Sequence, residues 1–120
     1  VFTTQGTGIG SAIIVNGTLL TNTELGHLEI DGTDAEKNAS SGQKTLQGLN
    51  WEQWAQRLQR YYSHVEFLLN PDLFVVGGGV SENHEKFMPL LDLKTPMIPA
   101  KLLNTAGIVG AAYYAAQHSA

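Results

Sequence analysis

The sequence predicts an α/β fold built on a mixed β-sheet, and three features carry that prediction. Short β-branched runs broken by glycines fill the first 30 residues. From residue 51 to 69, apolar side chains recur at helical spacing. The continuous apolar run Leu73-Phe74-Val75-Val76 then opens into three glycines, a pattern suited to a strand buried on both faces. Antiparallel strands followed by strand–helix–strand crossovers give one mixed sheet in β-β-β-α-β-α-β-α order, the first helical unit being a short helix and then a long one. At 120 residues, 42% hydrophobic and 15% charged, the chain is long enough for one domain with a buried core.

Residues 1–5 are β-branched and bounded by glycine. Residues 11–15 are apolar, Asn16-Gly17 follows, and residues 18–20 resume the pattern; Asn-Gly between such runs is a strong hairpin signal. Residues 33–48 are rich in Ala, Ser, Lys and Gln, and predict a short helix near 35–41 and then a loop punctuated by Gly42 and Gly48. The long helix places Trp51, Trp54, Ala55, Leu58, Tyr61, Tyr62, Val65, Leu68 and Leu69 on one face. That aromatic stripe reads as core or interface. Asn50 suits its N-cap, Gln53 completes a capping box, and Leu49 and Trp54 are spaced as a hydrophobic staple. Asn70-Pro71 ends it. Beyond the glycines, Ser81 is placed to cap a helix whose first turn carries Glu82 and Glu85, and Pro89 bends or ends it. Residues 95–99, between prolines, read as a short edge strand. Asn104 or Thr105 caps a last helix over 107–118 with a small-residue face.

The net charge of −4, spread without long runs of one sign, argues against a dedicated nucleic-acid or anionic-membrane binder. The absence of cysteine excludes disulfides, thiolate metal sites and a catalytic thiol. No stretch approaches the roughly 20 apolar residues of a membrane span, and no signal peptide is visible. The expected compartment is the cytoplasm. The chain opens without Met inside a strand pattern and is expected to be a piece of a larger protein.

Two glycine corners stand out. "GTGIGS", residues 6–11, joins two strands; its glycines allow close backbone approach to an anion, and Thr7 and Ser11 add hydroxyl donors. It lacks the Lys of a P-loop, and a strand rather than a helix follows it, so it is not a dinucleotide fingerprint. A plain glycine-rich turn fits it as well. "VVGGGVSE", residues 75–82, follows a buried strand, where ligands of α/β sheets prefer to sit. A tight strand-to-helix turn with no ligand is its alternative. Between the corners lies "TELGHLEIDG". Glu24 and His27 would face opposite ways in an ideal strand, but Gly26 permits a turn that joins them. A carboxylate and an imidazole suit a polyhydroxyl ligand; a solvated Glu and a backbone-satisfied His are the structural alternative. Glu36 opens a helix and favours its dipole. Glu29, Asp31 and Asp34 read as solvated acids, and His64, His84 and His118 as surface residues.

The stretches "TGIGSA", "ELGHLEIDG", "DAEKNAS", "NPDLFVVGGGVS" and "TPMIPAKLLNTAGIVGAA" run in this order over essentially the whole chain. They resemble the C-terminal half of ROK-family sugar kinases, and within that family the polyphosphate glucokinases and polyphosphate/ATP glucomannokinases. The resemblance implies an actin-like (ribonuclease H-like) ATPase fold in which two lobes close around the sugar and the phosphoryl donor. Residues 1–120 would be the C-terminal lobe, with the N-terminal lobe outside the chain. Carried over by position, Glu24, His27 and Glu36 would bind sugar hydroxyls, Glu36 because "EKNAS" matches the family's Glu-x-x-Ala-Ser. Gly6, Thr7, Gly8 and Gly10 would hold phosphate, and Gly77, Gly78 and Gly79 would lie near the donor's adenosine or distal phosphates.

The same resemblance implies transfer of a phosphoryl group from polyphosphate or ATP, with Mg²⁺, to the 6-hydroxyl of glucose. Mannose is a second candidate sugar. The family's zinc-binding cysteines have no counterpart here, so no zinc is expected. The catalytic Asp would sit in the N-terminal lobe, leaving no catalytic residue in this chain and no activity in the fragment alone. A homodimer is expected. The rival readings are a sugar-sensing transcriptional regulator of the same family and a donor-binding scaffold without sugar affinity. Lys37, Lys44, Arg57, Arg60, Lys86, Lys94 and Lys101 are scattered along the sequence, with no basic run to mark a polyanion track.

Overall fold

A computed structural model describes residues 1–100; the helix expected over 107–118, its cap and His118 lie outside the described residues. Strands β1 (Phe2–Gln5), β2 (Ile9–Val15), β3 (Thr18–Thr23), β6 (Phe74–Gly77) and β7 (Met97–Pro99) form one sheet in the order β3-β2-β1-β6-β7. The first three are antiparallel neighbours, while β6 runs parallel to β1 and β7 parallel to β6. This is the mixed sheet the sequence predicts. The β2–β3 turn has Asn16 at φ 51° and Gly17 at φ 78°, both in the left-handed region that a tight hairpin needs. Strand β7, with its proline, lies at the sheet edge, where a missing N–H is tolerated.

Helix α3 (Trp51–Leu69) packs on this sheet through buried Trp54, Leu58, Tyr61, Tyr62 and Val65. Its capping box is complete: the Gln53 N–H donates to Asn50 Oδ1 at 2.7 Å, and the Asn50 N–H donates to Gln53 Oε1 at 3.0 Å. Leu49 packs against the core that includes Trp54. Asn70 closes the helix in a left-handed conformation, φ 46°. On the sheet side, the Tyr62 ring meets Phe74 edge-on at 5.1 Å. Its hydroxyl shares a 2.7 Å hydrogen bond with Thr3 Oγ1 and accepts from Gln5 Nε2 at 3.3 Å. Burial pushes the Tyr62 phenol pKa up, so it stays a neutral hydrogen-bonding group. The end of β1 is thereby fixed to α3.

Three departures from the sequence reading matter. First, a hairpin of β4 (Glu29–Ile30) and β5 (Thr33–Asp34) follows the Glu24–His27 stretch, with Asp31 at φ 56° and Gly32 at φ 81°. The Asp-Gly pair is the same signal as Asn-Gly, but two-residue strands show no alternation. Second, the presumed loop after α1 (Glu36–Ala39) is a helix, α2 (Ser41–Leu46), capped by Ser40 Oγ accepting from the Gln43 N–H at 3.3 Å. Third, the segment Gly79–Lys86 is 3₁₀ rather than α, interrupted at Asn83. Gly78 occupies its N-cap position at φ 87°, so the chain turns before Ser81, which is buried and donates its N–H to the Gly78 carbonyl at 3.1 Å. His64 and His84 are both half-buried, less exposed than expected, and His84 donates from Nδ1 to the Ser81 carbonyl at 3.1 Å.

Candidate functional site

Because β1 and β6 are parallel neighbours in the register Thr4↔Gly77, the turns that follow them lie side by side at the carboxyl end of the sheet. That is where α/β sheets bind ligands. Gly78 packs against Gln5: a Cβ there would fall on the Gln5 backbone. In the first turn, Gly6 donates to the Gly8 carbonyl at 3.0 Å, and α2 clamps the Gly6 carbonyl through the Gly42 N–H at 2.7 Å and Ser41 Oγ at 3.3 Å. The Thr7 and Gly8 N–H groups make no hydrogen bond among the described residues. Gly10 lies within β2 opposite Thr4, where the missing Cβ leaves room for Thr4 Oγ1. Ser11, expected as a phosphate donor, instead donates to the Thr23 carbonyl at 3.0 Å and accepts from the Leu25 N–H at 3.0 Å. It ties β2 to the Glu24–His27 stretch.

That stretch is a 3₁₀ turn, Leu25–His27, closed by the His27 N–H donating to the Glu24 carbonyl at 3.0 Å. It brings Glu24 Oε2 within 3.7 Å of His27 Nε2, the convergence the sequence suggests. The role of Gly26 differs from the one expected. Its φ is not in the left-handed region; instead it is buried where a Cβ would strike the Ile9 carbonyl. Close approach to β2, not backbone freedom, demands glycine here.

Glu36 joins the pieces. Its Oε2 accepts the Ile9 N–H at 2.9 Å, and its Oε1 lies 3.5 Å from His27 Nδ1. Gly8 is small because a Cβ would fall on the Glu36 carboxylate. Asp34, read from the sequence as a solvated acid, completes the cluster with Oδ2 at 3.1 Å from His27 Nδ1. The β4–β5 hairpin folds it back onto His27. Asp31 is exposed, as expected, and is also paired with Arg60 at 3.0 and 3.2 Å, which ties the hairpin to α3 and lowers the Asp31 pKa. Side-chain exposure rises from 25% at Glu36 through 40% at Asp34 and 54% at His27 to 72% at Glu24, so the cluster has a fixed base and an open mouth.

Glu36 and the Gly6–Gly10 turn line one cavity of about 330 Å³. A second cavity of about 330 Å³ lies beside Asp31, Arg60 and Tyr61, but there the Arg60 and Asp31 charges already satisfy each other. No group of three or more His, Asp or Glu side chains is placed to hold a metal ion among the described residues. Nor is any described helix long and apolar enough to cross a membrane.

The hydrogen bond that His27 Nδ1 donates to Asp34, aided by the charge of Glu36, raises the His27 pKa above its ordinary 6.5. The folded value exceeds the unfolded one, so the ion pair's contribution to stability is complete below pH 6.5 and is lost as pH rises through the folded pKa. Asp34→Asn is therefore expected to lower the His27 midpoint, read by NMR, and to destabilise the protein more at pH 6 than at pH 9. An equal loss at both values would show that the pair contributes through shape and not charge.

No family model matches the sequence. Over 112 residues the chain is 51% identical to a polyphosphate glucokinase of Mycobacterium tuberculosis, spanning 93% of this chain and 42% of that protein. The crystal structure of the inorganic polyphosphate/ATP-glucomannokinase from Arthrobacter sp. strain KM matches with 54% identity and a TM-score of 0.82, over 98% of this chain and 47% of that one. A ROK family glucokinase from Streptomyces griseus, solved with glucose and AMPPNP, shares the fold at a TM-score of 0.64 and 20% identity, over 97% of this chain and 60% of that one. The chain thus spans less than half the length of the first two. Over that span it is homologous to the polyphosphate glucokinases, and its fold is the actin-like ATPase fold of the ROK-family sugar kinases.

Proposed function

We propose that this chain is the sugar- and phosphate-binding C-terminal lobe of a cytoplasmic, homodimeric glucokinase that uses polyphosphate or ATP. The observation that carries the reading is the position of Glu36, which touches the glycine turn through Ile9 and the Glu24–His27 turn through His27. One side chain thereby sets the distance between a sugar and a phosphate. Glucose hydroxyls donate to Glu24 and Glu36 and accept from His27. The unpaired N–H groups of Thr7 and Gly8 receive the phosphoryl oxygens. The sugar 6-hydroxyl oxygen attacks the terminal phosphorus, the bond from that phosphorus to the donor's bridging oxygen breaks, and the hydroxyl proton passes to an Asp in the N-terminal lobe. When bound to the donor, Mg²⁺ would offset part of its charge, with no described group of three or more His, Asp or Glu side chains placed to hold it. Catalysis by this lobe is positioning and charge placement.

The test is glucose 6-phosphate formation by the full-length protein with polyphosphate and with ATP. Product from neither donor would sink the reading. In an active enzyme, Glu24→Gln combined with His27→Asn is expected to raise the glucose KM about 10- to 100-fold, the effect of losing hydrogen bonds to charged groups, with donor KM unchanged. An unaltered glucose KM would favour a donor-binding scaffold.

A further inference from the structure

We infer that Lys44 and Lys86, whose ammonium groups both lie against the Trp51 ring, form a track for the distal phosphates of a polyphosphate donor. The inference rests on the glucokinase reading and adds the path of the polymer beyond the glycine turns. The two lysines are far apart in sequence, yet Lys44 Nζ lies 4.2 Å and Lys86 Nζ 5.6 Å from the centroid of the same ring. Lys44 stands on an element that packs against the first turn, and Lys86 on the segment that follows the second. Lys44 is on α2, whose Ser41 and Gly42 hold the Gly6 carbonyl. Lys86 ends the 3₁₀ segment that begins at Gly79.

The ring between them is held in place. Trp51 stacks on the fully buried Phe87 at 6.1 Å with an interplanar angle of 12°, and meets Trp54 edge-on at 5.9 Å. Neither ammonium has a carboxylate within ion-pair distance among the described residues. Glu85, the nearest acid in sequence to Lys86, turns to His84 at 3.9 Å. Two cations therefore lie 4.2 and 5.6 Å from one ring centroid, with no carboxylate paired to either among the described residues. Cation–π contact orients them, and mutual repulsion is relieved when an anion lies across both. A donor whose phosphates end at the glycine turns leaves the lysines unused. A polymer that continues along the α2 and Gly79–Lys86 surfaces reaches both. The polymer's uniform charge needs only such point charges, which lysine supplies.

The test is the Lys44→Gln/Lys86→Gln variant of the full-length enzyme, assayed with long-chain polyphosphate and with ATP. The expected result is a rise of 10-fold or more in the polyphosphate KM and a shallower dependence of that KM on salt. ATP and glucose KM should stay within 2-fold, the melting temperature should not move, and Lys44→Arg/Lys86→Arg should restore the polyphosphate KM. Three results would overturn the track. One is an unchanged polyphosphate KM. Another is a parallel rise for ATP. The third is a single-stranded oligodeoxynucleotide of matched charge competing as well as polyphosphate, which would make the pair a general polyanion patch. If the wild-type enzyme phosphorylates glucose with ATP but not with polyphosphate, the donor reading fails along with the track. If the wild type uses polyphosphate and the variant matches it, only the track fails.

Discussion

Gly78→Ala is expected to destabilise the protein by about 2–6 kcal/mol, the sum of a backbone conformation that is essentially reserved for glycine and an overpacked contact. The backbone at Gly78 has φ 87° and ψ 175°, and a Cβ there would press on the carbonyl and N–H of Gln5. Gln5 cannot yield. Its strand is paired on both sides, by β2 and β6, and its side chain is held by Tyr62. For a domain of this size the melting temperature should fall by roughly 10–20 °C. Gly32→Ala serves as the comparison, since Gly32 has φ 81° but nothing within 4 Å of its Cβ position. It should show the backbone cost alone, about 1–2 kcal/mol. Equal losses in the two variants would mean that the Gln5 contact relaxes freely.

On the glucokinase reading, Gly8→Ala should act mainly on function, costing the fold about 1–3 kcal/mol for the Ile9 N–H left without its acceptor while removing most of the sugar phosphorylation of the full-length enzyme. The obstacle to a Cβ at Gly8 is the Glu36 carboxylate, the far end of a flexible side chain, and the φ of Gly8 is not in the left-handed region. Glu36 therefore swings away, the Ile9 N–H loses its acceptor and His27 loses one carboxylate. The expected loss in kcat/KM for glucose is about 100-fold, from one charged hydrogen bond and the misplacement that follows. Glu36→Gln separates the two effects. Its amide oxygen can still accept from Ile9, so stability should change by less than about 1 kcal/mol while the glucose KM rises about 10-fold or more. Wild-type kinetics in both variants would remove Glu36 from the sugar site.

The parts of the fold that were legible in sequence are those whose signals are local. The Asn16-Gly17 turn, the capping box at Asn50 and the buried β6 run each state their geometry within a few residues. Helix α2 was not legible because Gly42 reads as a helix breaker, costing about 1 kcal/mol against Ala. In the structure its missing Cβ lets α2 rest on the first turn, where a Cβ would come within 3.0 Å of Thr7 Cα and the Gly6 carbonyl oxygen. Ser81 looked like a cap because the conformation of Gly78 is invisible in sequence. At the site, Glu24, His27 and Glu36 were reached through the family resemblance, and the structure brings them together. The place of Asp34 is not legible in sequence because a two-residue hairpin hides its return to His27. The pairing of Lys44 with Lys86 has no sequence signature at all, since it arises only once both elements pack at Trp51.

The β1–β6 pairing also governs when the site comes into being. Thr4 lies beside Gly77, roughly 70 residues later in the chain, so the sheet closes through contacts of high sequence separation. The β1–β3 meander and α3 can form from local contacts, but neither brings the two glycine turns together. A chain arrested at that stage would present, on the proposed reading, only one of the two glycine turns to a donor. On the proposed reading, donor recognition would depend on the closed sheet, and a bound donor would stabilise that whole sheet instead of a single loop.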